Sequence, residues 1–283
     1  MLWRYLRIEL KKALTGWFFW GIIGIGIVIT LFSSKEIFSY FLDFTAMQSG
    51  EFAQAENNSI SLFGTWIGGE YHTLGVAMYF FILPVLAIMA YGWSFFLEKK
   101  SGYIKNVITR VDKKVYYLSK YITTFAAGGL AVILPLLFNL LLTCLYSNFA
   151  IPDITYGYVS MFHGSLWSEL FYTRPFFFCI LYLIIDFVYG GLIACCCMAL
   201  AFFLRNRLLV LLLPFLALLA VDYLRWDIGY LLGQEVEISP MKFLHPTPYP
   251  SPVSGWILLG SMFLLLLATL GTCMLRGRKA DVF

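Results

Sequence analysis

The sequence has few charged residues for its length. Only 13% of the 283 residues are Asp, Glu, Lys or Arg, whereas soluble domains carry about 25%. Hydrophobic residues make up 60%, and the mean hydropathy is +0.80. A membrane span takes about 20 apolar residues and satisfies its backbone hydrogen bonds as a helix. The composition therefore predicts an all-α integral membrane protein in a lipid bilayer, without a sizeable soluble domain.

The sequence also lacks the motifs of nucleotide-binding proteins and of membrane hydrolases. It contains no G-x-x-x-x-G-K-[ST] phosphate loop, no G-x-S-x-G and no H-E-x-x-H. Its three histidines lie far apart, and its six cysteines fall within apolar runs, whereas disulfide frameworks and zinc sites use cysteines in loops. We therefore expect that the chain is not an enzyme and that it binds no metal or cofactor itself.

Six apolar segments are long enough to cross a membrane. The predicted spans are 17–32, 74–97, 121–146, 175–204, 208–224 and 256–275, with loops at 33–73, 147–174 and 225–255. The first loop begins with an amphipathic pattern that is expected to continue the helix of span one. Pro84 is expected to kink or loosen the second span. Before the first span, residues 1–16 predict an amphipathic helix in the membrane interface, with Arg4, Arg7 and Lys11 on its polar face. A signal peptide is the alternative for this segment.

Basic residues are distributed unequally between the two sides of the predicted membrane. Sixteen of the 20 Lys and Arg residues lie in segments 1–16, 98–120 and 205–207 and after residue 275, all on one side of the six spans. Because positively charged loops stay in the cytoplasm, this asymmetry predicts that both termini are cytoplasmic. Topology alone accounts for these charges, and no nucleic-acid partner is expected.

Residues 98–120, called the polar island below, form the one strongly charged stretch between two spans. Ser101 is expected to be the N-cap of a helix and Gly102 to turn the chain out of the second span. The apolar residues that follow share one helical face: Ile104, Val107, Ile108 and Val111. The pattern predicts a short amphipathic helix outside the membrane, and the alternative is a solvated loop whose charges only fix the topology.

These features together resemble the type-2 ABC transporter permease family. The resemblance rests on the basic N-terminal helix, on the six spans and above all on the island, in which the second span runs into an acidic residue, two basic residues and Ser-Gly. It implies a coupling helix that docks on a separate ATPase. The residues that would serve this coupling are Glu98, Lys99, Lys100, Ser101, Gly102, Tyr103, Ile104, Lys105, Ile108, Arg110 and Lys120.

The resemblance further implies a bacterial exporter of the cytoplasmic membrane. Two ATP-binding-cassette subunits would bind ATP and Mg, and a second permease chain, identical or paralogous, would complete the pathway between spans two and five. The loop after span five would cap the exit. The candidate pathway residues are Tyr79, Phe80 and Phe81 of span two and Asp186 of span four. The apolar character of the three span-two residues suggests a hydrophobic or amphipathic substrate, such as a peptide, a lipid or a drug-like compound.

Asp186 also supports a different class of function. It is the single acidic residue well inside a predicted span, where a charge must be paired, protonated or exposed to water. Asp186 could therefore serve a proton-linked transporter or an intramembrane enzyme that works without an ATPase, or it could simply hold a helix interface together. A sensory or immunity partner that binds a peptide without moving it is a further alternative.

Overall fold

The computed structural model describes residues 2–47, 61–69, 73–152, 161, 165–232, 237–245 and 253–279. Within these ranges the chain is helical, apart from turns and one isolated β-bridge between Ser61 and Asn148. Six helical segments are long and apolar enough to cross a membrane, so the predicted multi-pass helical architecture is confirmed. They are span one Trp17–Ser39, span two Leu74–Lys100, span three Lys113–Thr143, span four Pro175–Leu200, span five Arg207–Leu231 and span six Gly255–Gly277.

Several span helices extend beyond their predicted bounds. The helix of span one is Trp17–Met47, and it therefore continues into the beginning of the segment 33–73, as its amphipathic pattern predicts. Span three begins at Lys113, where the side chain of Asp112 accepts a hydrogen bond from the Lys114 amide. The helix of span five reaches Leu232 through residues that were predicted as a loop. Polar residues end an apolar run, but they do not break a helix, because the helix is held by its backbone.

Span two is divided into three pieces. Leu74–Ala87 is followed by a π-helical turn, Ile88–Gly92, and then by Ser94–Lys100. Pro84 lies inside the first piece, and the amide of Ile88 donates to the carbonyls of Pro84 and Val85. The predicted irregularity therefore begins one turn after the proline. Turns of this kind are frequent at functional sites, and this one carries Tyr91.

Spans three and four pack closely at the centre of the bundle. A side chain on Gly128 would place its Cβ atom 2.5 Å from the Cβ of Ala194, and one on Gly191 would lie 2.6 Å from the ring of Phe125. Small residues at such crossings let membrane helices approach each other. This close packing fixes the framework on which the other spans rest.

The N-terminal helix, Leu2–Leu14, lies against span three. Leu6 and Ala13 are buried, whereas Arg4 and Arg7 are exposed, as the amphipathic pattern predicts. Glu9 is also buried, with an exposed fraction of 1%. A carboxylate therefore lies on the packed face of this helix.

The polar island is shared among three helices. Its first residues end span two, Tyr103–Ile108 forms a separate short helix that we call the island helix, and the residues from Lys113 onward belong to span three. The prediction of Ser101 as a helix N-cap is wrong, because Ser101 is the C-cap residue at the end of span two. Gly102 takes the N-cap position with a φ of +73°, and the Ser101 hydroxyl instead donates to the carbonyl of Glu98. The predicted turn at Gly102 is confirmed.

The described loop segments contain three further short helices, Leu62–Thr65, Ser168–Thr173 and Pro240–Phe243. The last of these, called the loop helix below, precedes span six and is inserted into the bundle. The ring of Phe243 is fully buried with its centroid 5.3 Å from that of Tyr189 in span four. The imidazole of His245 lies 4.4 Å from the ring of Phe80 in span two. The proline-rich stretch that follows His245 lies outside the described residues.

Candidate functional site

The side chain of Lys120 is fully buried near the beginning of span three. Its ammonium nitrogen lies 3.1 Å from Oε2 of Glu9, 2.7 Å from Oε1 of Glu98 and 3.2 Å from the hydroxyl of Tyr91. Three partners match the three protons that an ammonium group can donate. Lys120 therefore connects the N-terminal helix, span two and span three at a single point.

The carboxylate of Glu9 forms an ion pair with Lys120 and accepts two further hydrogen bonds. The hydroxyls of Tyr5 and Tyr91 each donate to its carboxylate at 3.2 Å. Burial, and then the nearby Glu9 carboxylate, raise the pKa of Tyr5 above its ordinary value, so this hydroxyl keeps its proton and remains a donor. The π-helical turn of span two places Tyr91 between Glu9 and Lys120, which shows how that irregularity contributes to the cluster.

Glu98 is the second buried carboxylate of the site. It accepts hydrogen bonds from Lys120 at 2.7 Å, from the Tyr116 hydroxyl at 2.7 Å and from the ammonium of Lys12. Partial burial lowers the pKa of Lys12, but the hydrogen bond to Glu98 and its charge outweigh this effect, so the Lys12 pKa is raised. Lys12 also lies 5.0 Å from the ring centroid of Tyr103, which links the cluster to the island helix.

The four charges of this cluster cancel. Glu9 and Glu98 supply two carboxylates, and Lys12 and Lys120 supply two ammonium groups. We call these four residues the charge cluster. Removing one partner from a buried ion pair leaves an uncompensated charge and costs about 3–5 kcal/mol. Because its members come from three separate segments of the chain, the cluster fixes the relative positions of these segments.

The predicted coupling residues fall into an inner and an outer set. Glu98 and Lys120 point inward, Ile104 is buried and Ile108 is partly buried against the bundle. Lys99 donates to the carbonyl oxygens of Ala201 at 2.8 Å and Phe202 at 3.3 Å, and so holds the end of span four. Gly102 forms the turn between the end of span two and the island helix. The outer set consists of the exposed residues Lys100, Ser101, Tyr103, Lys105 and Arg110.

The candidate pathway residues do not share one environment. Tyr79 is fully buried and donates a hydrogen bond to the carbonyl of Val132 in span three. Phe80 and Phe81 line a cavity at the end of the bundle opposite the polar island. Asp186 is 2% exposed, and its Oδ1 atom has no hydrogen-bond partner in the described part of the chain.

Sequence reasoning missed Glu9 and Lys12 as members of this site. A signal for Glu9 was present, since residue 9 follows Leu6 by three positions and precedes Ala13 by four, which places it on the apolar face of a helix. An acidic residue in that position needs a buried partner. For Lys12 we find no comparable signal, because its position relative to Glu98 depends on how the helices pack.

Comparison with protein-family models, with curated proteins and with solved structures found no match for this chain. Among the residues that the structure describes, no group of three or more His, Cys, Asp or Glu side chains is arranged to hold a metal ion. The geometry of the charge cluster is therefore the main evidence on function.

Proposed function

We propose that the chain is the permease subunit of an ATP-driven exporter in a bacterial cytoplasmic membrane, with both termini and the polar island in the cytoplasm. A separate ATP-binding-cassette subunit would dock on the island and bind the ATP and Mg. A second permease chain would complete the pathway. The observation that carries this proposal is the charge cluster, because it joins the island directly to spans two and three.

The outer surface of the island is suited to a protein partner. Lys100, Lys105 and Arg110 are exposed cations, and Tyr103 of the same segment is 43% exposed. Aromatic and arginine side chains are enriched in protein interfaces, and exposed cations favour an acidic groove on the partner. Ile104 and Val107 anchor the opposite face of the island helix in the bundle. A docked partner would therefore exert force on a helix that its buried side chains already hold against the bundle.

The inner residues would carry such a movement into the membrane. The 2.7 Å contact between Glu98 and Lys120 ties the end of span two to the beginning of span three, on both sides of the island helix. A displacement of the island would therefore move both spans together instead of being absorbed by a flexible loop. Glu9 would extend the same movement to the N-terminal helix.

Charge reversal on the outer surface tests the docking. An ATP-binding subunit should co-purify with the wild-type chain. It should no longer do so with the double variant Lys105→Glu with Arg110→Glu. Arg174→Glu is the matched control, because Arg174 is an exposed basic residue at the other end of the bundle. Undiminished capture of the ATPase by the double variant would refute the docking assignment.

Asp186 supports a second candidate function, a proton-linked transporter that needs no ATPase. The supporting observation is its buried Oδ1 atom without a hydrogen-bond partner among the described residues, since a carboxyl group in such surroundings can hold and release a proton. Asp186→Asn separates the two candidates. Wild-type transport that continues without an ATPase and is lost completely in Asp186→Asn would favour the proton-linked function.

A further inference from the structure

A cavity of about 460 Å³ lies between spans two and five, at the end of the bundle opposite the polar island. This volume is in the range of about 300–1,000 Å³ typical of small-molecule sites. Apolar side chains such as Phe81, Met78 and Met241 form much of its wall, and Asp222, Lys242 and His245 supply polar groups. Methionine side chains adapt to ligands of irregular shape. The cavity therefore combines an adaptable apolar surface with charged groups.

Among the described residues, hydrogen bonds reach only one of the two carboxylate oxygens of Asp222. Its Oδ1 atom accepts hydrogen bonds from Arg225 at 3.0 Å and from the Ser239 hydroxyl at 2.8 Å. For the Oδ2 atom, no partner is found in the described part of the chain. The side chain of Asp222 is 24% exposed and lines the cavity. One carboxylate oxygen is thus available to a donor group on a ligand.

Among the described residues, groups of both charge signs lie in or beside the cavity. Arg225 lies between two carboxylates, 3.0 Å from Asp222 and 3.7 Å from Glu237, and Lys242 in the cavity wall supplies the second cation. A ligand that carries both signs can place each of its charges beside an opposite charge of the protein, because Asp222 and Lys242 are separate poles of one cavity.

The wall that carries Lys242 is held in place independently of any ligand. The Ser239 amide donates to Glu237 at 3.0 Å, which shapes the start of the loop helix. Phe243 anchors this helix in the bundle, and the imidazole of His245 packs against the ring of Phe80 in a tilted arrangement. A site with prearranged walls loses less entropy on binding than one that must be ordered first.

We propose that this cavity binds a small amphipathic zwitterion. The ligand's ammonium group donates to Oδ2 of Asp222, its anionic group lies at Lys242, and its apolar body packs on Phe81, Met78 and Met241. Lys242 has other interactions in the protein, but an ammonium group has three donors and can serve a ligand as well. The inference rests on the proposed function only where it identifies this ligand as the exported substrate.

Calorimetric titration of the full chain in a neutral maltoside detergent tests the site without any ATPase. The zwitterionic probes are lysophosphatidylethanolamine and a leucine-phenylalanine dipeptide with free termini, which distinguish a lipid from a peptide as the source. Their controls are lysophosphatidylglycerol with the same acyl chain and the N-acetylated dipeptide amide. We expect at least one zwitterion to bind about tenfold or more tightly than its control. Equal binding of each probe and its control would overturn the proposal.

Three variants connect the binding to the residues. Asp222→Asn should weaken binding of the zwitterion about tenfold or more, since a charge-assisted hydrogen bond is lost. Ser239→Ala removes a contact to the other oxygen of Asp222 but keeps the charge, so affinity should stay within about threefold. Ala77→Trp should abolish binding by filling the cavity, which Ala77 lines. Equal losses in the first two variants would mean that Asp222 only holds the loop, and would refute the site.

The outcome is independent of the docking test. If the ATPase fails to co-purify but the zwitterion binds as expected, the exporter proposal fails and the ligand site stands. If docking succeeds but no probe binds better than its control, the site fails and the exporter proposal stands.

Discussion

Glu98 and Lys120 are 22 residues apart in sequence, yet their side chains form a 2.7 Å ion pair. The pair joins the two ends of the polar island, because Glu98 lies in the last turn of span two and Lys120 lies near the start of span three. Glu9 and Lys12 then attach the N-terminal helix to the same point. The island is therefore a loop fastened at both ends, and its stability and its proposed role in coupling depend on the same four charges.

Replacing Lys120 should have a large effect on stability. Lys120→Met leaves Glu9 and Glu98 without their shared cation, and we expect a loss of about 3–5 kcal/mol, measured by thermal or denaturant unfolding in detergent. Lys105→Met is the control, since Lys105 is exposed on the island helix, and its effect should stay within about 0.5 kcal/mol. Similar unfolding temperatures for the two variants would show that the buried cluster contributes little.

Glu9 and Lys120 should be energetically coupled. Residues in one ion-pair network give non-additive changes of about 0.5–3 kcal/mol in double-mutant cycles. We therefore expect Glu9→Gln and Lys120→Gln to be non-additive in unfolding free energy. The pairing of Glu9→Gln with Lys105→Gln should be additive within about 0.5 kcal/mol. Additivity in both cycles would contradict a direct Glu9–Lys120 contact.

Gly102 should resist substitution because of its backbone conformation. At a φ of +73° a side chain is strained, and Gly102→Ala should cost about 1–2 kcal/mol. A Cβ atom at Gly102 would meet no atom within 4 Å, so any loss reports the backbone and not a clash. Gly260→Ala is the matched control, since it also has open space but lies within the helix of span six, where alanine is favoured. Unfolding temperatures should fall for the first variant only.

The contact between Lys12 and Glu98 should weaken at alkaline pH. The pKa of Lys12 is raised above 10.5 in the folded chain, so its stabilising effect is fully present below that value and is lost as the pH rises through the folded pKa. The difference in unfolding temperature between the wild type and Lys12→Met should be constant from about pH 7 to 9 and shrink above about pH 10.5. Because Lys12 is half exposed, the difference should be small. A difference that grows above that pH would contradict the assignment.

Asp186→Asn should leave the fold at least as stable as before. The Oδ1 atom of Asp186 has no partner among the described residues, so the change removes no hydrogen bond there, while it removes any cost of burying a charge. Thermal unfolding in detergent measures the outcome. A clear drop in unfolding temperature would mean that the carboxyl group holds the bundle together, and would weaken the case for a proton-binding function.

The sequence by itself determined the class of the protein, the number of its spans and the place of the island. These follow from apolar runs and from charge counts, because a helix in hydrocarbon needs only its own backbone and an apolar surface of sufficient length. The turn at Gly102 was equally local, since it depends on the conformational freedom of one residue. The true ends of the spans were harder to predict from sequence. Polar residues end the apolar run in the hydropathy pattern even where the helix continues through them.

Only the tertiary structure decided which charges lie inside. The contacts of Lys120 with Glu9 and Glu98 join residues 111 and 22 positions apart, and such pairs depend on how whole helices pack. Through the same packing, Lys99 forms hydrogen bonds at the end of span four, whereas Lys105 and Arg110 remain exposed. In sequence these are similar basic residues of one polar segment. Their different surroundings arise because a charge can be buried only where folding brings an opposite charge to it.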